Sequence, residues 1–178
     1  LAGRSTGTIE MWVFWDGNQM VDGGHGYGAV IGRQANQSFS NNVIMLTGSD
    51  PNYAKLRWMP YGIFGKYDGT TNVGSGVWNH VAVTFTSSQH IIYLNGEIEN
   101  VYNISGSFNN SNVDLTLGAW TTVGGIDHGH TFLNGKLDEV RLWSNVLTHQ
   151  QINHYMQNKP NDNDPNLLSY WNFNEGSG

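Results

Sequence analysis

Glu97 and Glu99 stand two residues apart in Glu97-Ile98-Glu99-Asn100-Val101-Tyr102. Alternate residues of an extended strand share one side. Two carboxyl groups about 5 Å apart are what retaining glycoside hydrolysis requires, so this pair is the first candidate for chemistry. The alternative is a solvated strand face, which holds acids for solubility alone. Asp127, His128 and His130 in Gly125-Ile126-Asp127-His128-Gly129-His130 are of the types that bind a transition metal. A Gly-rich loop fixes no geometry for them, and a polar loop at the rim of the fold is the favoured account. Asp162, Asp164 and Asn166 have the spacing of the first half of a calcium loop. The glycine and closing glutamate of such a loop are absent, and a turn before Pro165 is expected. With no cysteine, the chain has no thiol nucleophile, Cys-ligated zinc or disulfide. No G-x-S-x-G elbow, H-E-x-x-H helix or P-loop occurs. The expectation is a protein that binds and is not an enzyme.

Aromatic residues in loops offer a different chemistry. A ring stacks on the apolar face of a sugar while Asn, Asp and backbone groups bond its hydroxyls. Trp58, Tyr61, Phe64, Tyr67 and Trp120 lie in or near loops. If successive strands run antiparallel, the stretches 61–75 and 119–131 form two long loops opening at the same end. The expected ligand-binding residues are therefore Tyr61, Tyr67, Trp120, Asp127 and His128. The competing reading has Trp120 and Tyr61 closing the open end of the core.

These groups need a scaffold, and strand signals supply it. Thr8–Trp15, Tyr27–Arg33, Asn42–Thr47, Lys55–Met59, Trp78–Thr86, His90–Leu94, Glu97–Tyr102, Val113–Leu117, Lys136–Trp143 and Leu167–Phe173 are rich in β-branched and aromatic residues. Gly, Asn, Asp or Ser bounds most of them. Asn95-Gly96 predicts a hairpin with a type I′ turn. The run from Trp78 to Phe85 is apolar on both sides and predicts a doubly buried strand, with His80 a hydrogen-bonded core residue. Thr148-His149-Gln150-Gln151 has the form of a capping box. It predicts one short helix with Ile152, Tyr155 and Met156 on one face, ending before Lys159-Pro160. The fold expected is all-β: a two-sheet antiparallel jelly-roll sandwich with one short helix in the C-terminal region, one domain over residues 1–178.

Charged residues are 12% of the 178, about half the usual share of roughly 25%. Asn, Ser, Thr and Gly must build the polar surface, as in secreted and cell-surface β-domains. The net charge of −6 argues against nucleic acid, which needs a basic footprint. No apolar run is long enough to cross a membrane as a helix.

Three ordered segments carry a resemblance. They are Gly76–Phe85 with Ile92-Tyr93-Leu94-Asn95-Gly96, then Phe132–Trp143 with the helix after it, then Leu168–Gly178. Together they resemble the laminin G-like jelly roll of the concanavalin A-like lectin and glucanase superfamily. The resemblance implies an earlier strand and a continuation beyond Gly178, so the chain is expected to be part of a larger protein with neighbouring domains. Glucanases of that superfamily carry a third carboxylate beside a pair like Glu97 and Glu99, and here it is missing. They also end on a D-x-V-R strand whose aspartate often holds calcium. This implies Asp138 as a ligand of a Ca²⁺ cofactor, against a reading in which it accepts backbone N–H bonds at the sandwich edge. The function implied is a non-catalytic recognition module of a secreted or cell-surface protein, with a carbohydrate or glycoprotein as partner. The alternatives are a structural or protein-interaction module with no small ligand and, less directly, a glycan-active enzyme.

Overall fold

The structure, a computed structural model, describes residues 4–17, 21–22, 25–34, 41–47, 54–60, 65–104, 114–119 and 132–176. Its elements in chain order are β1 (Gly7–Trp15), β2 (Val21–Asp22), β3 (His25–Gln34), β4 (Asn41–Thr47), β5 (Lys55–Met59), β6 (Tyr67–Asn72), β7 (Trp78–Phe85), β8 (Gln89–Leu94), β9 (Glu97–Asn103), β10 (Thr116–Leu117), β11 (Gly135–Trp143), α1 (His149–Gln157) and β12 (Leu167–Trp171). The first sheet has the order β12-β11-β1-β7-β8-β9 and the second β10-β3-β4-β5-β6, with β2 paired to β3. Every ladder between named strands is antiparallel, giving the expected sandwich.

The core lies between the sheets. Ile9, Met11, Val13 and Trp15 of β1 and Val81, Val83 and Phe85 of β7 meet Ile31, Ile44, Leu46, Leu56 and Trp58 of the second sheet. The strand period of two then sends Thr8, Glu10, Trp12 and Phe14 to the outer face. Part of that face is buried as well, because α1 lies on it. Ile152 of α1 packs with Ala82, Tyr93, Trp143 and Leu147 in a second apolar cluster. This explains why β1 and β7 look apolar on both sides. The capping box is complete: the Thr148 hydroxyl accepts from the Gln151 N–H at 3.2 Å, and the Thr148 N–H donates to Gln151 Oε1 at 2.9 Å. A helix of nine residues is marginal alone, so its seat on the sheet supplies most of its stability. Asn95 (φ 51°) and Gly96 (φ 83°) make the turn between β8 and β9. His149 Nε2 lies 2.6 Å from the Gly96 carbonyl oxygen and ties α1 to that hairpin.

One expectation is corrected. The stretch 61–75 is not a single loop, because β6 runs through it. Asp68-Gly69-Thr70-Thr71-Asn72 is a turn-like composition, yet it forms a strand because two neighbours hold it. Arg57 on β5 grips Asp68 with two bonds of 2.6 and 2.7 Å. Glu99 on β9 accepts the Thr70 and Thr71 N–H groups at 2.7 and 2.6 Å. The stretch thereby becomes two connections at opposite ends of β6. Residues 60–66 leave from the Trp58–Tyr67 end of the β5/β6 ladder, and 73–77 follow the Lys55–Asn72 end. The segment 119–131 begins after Gly118, bonded to Val30, and returns through Phe132, bridged to Ala29.

Candidate functional site

Tyr67 is half-buried at the core margin, with its ring 4.9 Å from that of Tyr102. It stands on β6, not on an open rim. Tyr61, Trp120, Asp127, His128 and His130 lie outside the described residues. Trp58 is core: it is 1% exposed and donates its indole N–H to His90 Nδ1 at 2.9 Å.

Glu99 is a brace between the sheets. Burial pushes its carboxyl up, but the bonds from Thr71 and Thr70 outweigh that and hold it below the ordinary carboxylate range. Tyr102 adds a bond of 2.6 Å to the Asp68 carbonyl, closing the same edge. Glu97 is exposed on the same strand. The two acids therefore do different work, one structural and one solvated. Asp162 meets Lys159 at 3.2 Å, and Asp164 accepts the Asn166 N–H at 2.8 Å, the turn expected there.

The outer face of the first sheet holds a polar network that the sequence reading missed. Glu10 is fully buried. Its Oε1 accepts from the Trp143 indole N–H at 2.9 Å and from Arg141 at 3.5 Å. Its Oε2 is 3.6 Å from His80 Nε2, beyond hydrogen-bond reach. His80 is buried as expected, but neither ring nitrogen has a hydrogen-bond partner among the described residues; the Trp12 ring packs against it edge-on at 5.4 Å. Arg141 also donates to the Tyr155 carbonyl at 2.6 Å and to the Glu139 carboxylate. Tyr170 donates its hydroxyl to Glu139 Oε2 at 2.7 Å, and burial, followed by Glu139, pushes that phenol up to about 12. The available signals were Glu10 within an apolar strand and Arg141 at matching parity on β11, its Cα partner in the ladder.

This network floors an open depression of about 330 Å³ beyond the C-terminus of α1. Its walls include Trp12, Tyr170, Asn158, Lys159, Asn172 and Asn174. A second hollow, about 410 Å³, adjoins it and shares Lys159, Tyr170 and Asn172. Asn172 Oδ1 accepts the Asn174 N–H at 3.2 Å. The Asn172 amino group and the Asn174 side-chain amide have no protein partner among the described residues. From Trp12 the outer face continues to Phe14 and to Trp78, whose ring lies edge-on to Phe14 at 5.7 Å. Trp78 is 42% exposed, and Lys136 stands over Phe14 at 5.5 Å.

Asp138 faces outward beside Trp12, its Cα partner across the β1/β11 ladder. Its Oδ1 accepts the N–H of Glu139 at 2.8 Å, at a bulge where Glu139 has φ 51°. Calcium takes six to eight oxygens. Among the described residues no group of three or more His, Cys, Asp or Glu is gathered for a metal, so Asp138 alone represents the expected ligand set.

A jelly-roll sandwich with a fixed polar depression and open rings on one sheet face is the class of protein defined so far. The chain belongs to the concanavalin A-like lectin/glucanases superfamily, since a laminin G family model of that description matches residues 1–153. Solved structures share the fold. A protein of Bacteroides ovatus ATCC 8483, proposed to bind carbohydrate, aligns over 97% of this chain and 46% of its own, with a TM-score of 0.72 and 22% identity. Domain 4 of AbnA, an extracellular arabinanase of Geobacillus stearothermophilus seen in complex with arabinotriose, aligns over 88% of this chain and 69% of its own, with a TM-score of 0.62 and 20% identity. The CBM40 domain of Ruminococcus gnavus IT-sialidase, bound to α2,3-sialyllactose, aligns over 86% and 83%, with a TM-score of 0.62 and 14% identity. This chain thus spans less than half of the Bacteroides protein. No curated protein matches it in sequence.

Proposed function

We propose that this chain is a non-catalytic carbohydrate-binding module of a secreted or cell-surface protein. The observation that carries the reading is the depression beside Trp12. It joins a half-buried indole to the side-chain amides of Asn172 and Asn174, on a floor locked by Glu10, Arg141, Glu139 and Tyr170. Rings select the apolar face of a sugar and amides orient its hydroxyls, while a locked floor lowers the ordering cost of binding. Structures of the same fold hold arabinotriose and sialyllactose, which supports the reading. The bracing role of Glu99 supports the non-catalytic part, because that carboxylate is committed to Thr70 and Thr71.

A glycan array followed by calorimetry tests this. At least one saccharide is expected to bind, and Asn172→Ala and Asn174→Ala are each expected to weaken it about tenfold, the scale of one lost hydrogen bond. Unchanged affinity in both, with unchanged melting temperature, removes the depression as the site. Release of new reducing ends from any bound saccharide, abolished by Glu97→Gln, would make the chain an enzyme instead.

Two additions belong to the same proposal. The segment 119–131 returns to Asn134, whose carbonyl accepts from Asp16 at the end of β1 just past Phe14. Trp120, Asp127 and His128 are proposed to extend the binding surface from there. Trp120→Ala should weaken saccharide binding at unchanged stability; a stability loss of about 3 kcal/mol would assign it to the core. Calcium bound through Asp138 should raise the melting temperature by mass action. Asp138→Ala should abolish that increment, and a melting temperature unmoved by EDTA would dismiss the ion.

A further inference from the structure

We infer that the aromatic strip Trp12–Phe14–Trp78 on the outer face of β1 and β7 extends the depression, so that the ligand is a linear, uncharged oligosaccharide chain rather than a single sugar. This rests on the carbohydrate reading of the depression and adds the class of carbohydrate.

Three observations carry it. The first is continuity. Trp12 lines the depression and also begins the strip. Phe14 follows two residues on, about 7 Å further along the strand. Trp78 is the register partner of Phe14 across the β1/β7 ladder. Tyr170 on β12 and Trp78 on β7 are three strands apart, about 14 Å across the sheet before the distance along the strands is added. That path is longer than one sugar ring.

The second is what folding leaves unexplained. Trp78 is 42% exposed in a strand whose other seven residues are buried, and Val77 just before it is 53% exposed. Folding alone gives no reason to hold an indole there. Edge-on packing against Phe14 holds the Trp78 ring in place and leaves much of its surface to solvent. Rings so fixed can receive successive apolar sugar faces.

The third is charge. On and beneath this surface the acids Glu10, Asp138, Glu139 and Asp162 outnumber the bases Lys136, Arg141 and Lys159 by one. Glu10 and Glu139 are already answered by Arg141, and Asp162 by Lys159. Such a face gives a polyanion no net attraction and a neutral chain no desolvation conflict.

The test is calorimetry with the chain as it stands and linear gluco-, xylo-, manno- and arabino-oligosaccharides from two residues upward. Affinity is expected to climb with length in at least one series and then level off. Trp78→Ala, and separately Phe14→Leu, should lower the ratio of long-chain to disaccharide affinity about tenfold, the scale of one ring contact. Indole fluorescence of the unmodified chain should shift with the disaccharide through Trp12 and shift further with the long chain as Trp78 is covered, a readout independent of whether either variant folds. Disaccharide binding with no gain from length, or a gain that survives both substitutions, overturns this inference and leaves the depression as a sugar site. Binding of no saccharide defeats the underlying reading itself. Concentration-dependent self-association of the unmodified chain, lost in Trp78→Ala, would make the strip a contact between copies and also overturn the inference.

Discussion

The outer face of the first sheet has two halves built on the same strands. Beneath α1 the residues of β7, β8 and β11 are closed to solvent: Ala82 is 0% exposed, Trp143 1% and Tyr93 3%. Past the last turn of α1, β1 and β7 carry Trp12, Phe14 and the open ring of Trp78. The covered half includes the charges Glu10 and Arg141, and the uncovered half includes the rings. A face arranged only for solubility would have the opposite distribution. Charges beneath the helix are tolerated because they bond to one another and to the helix backbone at Tyr155. Trp78 outside it keeps 42% of its surface in water, so folding recovers less from its ring than from the buried Trp143.

Removing a charge from the covered half should give the largest effect. Glu10→Ala leaves Arg141 with Glu139 and the Tyr155 carbonyl only, and the Trp143 indole N–H without its acceptor. Breaking a buried pair from one side costs about 3–5 kcal/mol. Urea denaturation should show a loss of that size with unchanged denaturant dependence. A cost below about 1 kcal/mol would mean the network is not desolvated and would erase the contrast between the halves.

Acid should act somewhere else, between the sheets. His90 is buried against Trp58 and Phe85, and burial, partly offset by a bond with Thr86, lowers its pKa to about 4. The unfolded chain takes up a proton near pH 6.5, while the folded chain refuses it until about pH 4. The stabilisation is therefore complete above pH 6.5 and is lost as pH falls from there toward 4, by about 3 kcal/mol in all. Melting temperatures across that window should fall, and His90→Gln should flatten the slope. If the slope persists in His90→Gln and vanishes in Glu10→Gln, the outer network is the acid-sensitive element.

Much of this architecture could be read from the sequence. The Asn95-Gly96 turn, the Thr148 capping box, the doubly apolar β7 and most strands lie where residue types placed them. Local chemistry determines each of these: positive φ, a hydroxyl three residues before an amide, a period of two. What escaped was determined at a distance. β6 forms from turn-like residues because Glu99, 29 positions beyond Thr70, and Arg57, 11 positions before Asp68, hold it, and no short window around Asp68 contains them. The stretch 61–75 is therefore interrupted by β6, while Tyr61 and Trp120, expected on one rim, lie outside the described residues. The outer-face network escaped for the same reason. Glu10 meets Trp143 across 133 positions. Trp12, Phe14 and Trp78 are visible as aromatics, but only strand register brings them into one strip.

The smallest predicted effect is the most discriminating. Trp78→Ala should cost about 1 kcal/mol of stability, the scale of one edge-on ring contact. Truncation of a buried tryptophan costs about 3–5 kcal/mol, because it loses transfer energy and leaves a cavity. Trp143, stacked on Tyr155 at 4.7 Å under α1 and bonded to Glu10, belongs to that second class. At Trp78 part of the transfer term is absent, since the residue is 42% exposed to water in the folded state. No cavity forms, because solvent fills the place of the lost ring. What remains is the covered part of the ring, including its contact with Phe14, whose other neighbour Lys136 stays over it. Paired denaturation of Trp78→Ala and Trp143→Ala should therefore separate by at least about 2 kcal/mol. Similar costs would show that Trp78 holds the sheet together as Trp143 does. The bare half would then be structural, and its rings would need no ligand to explain them.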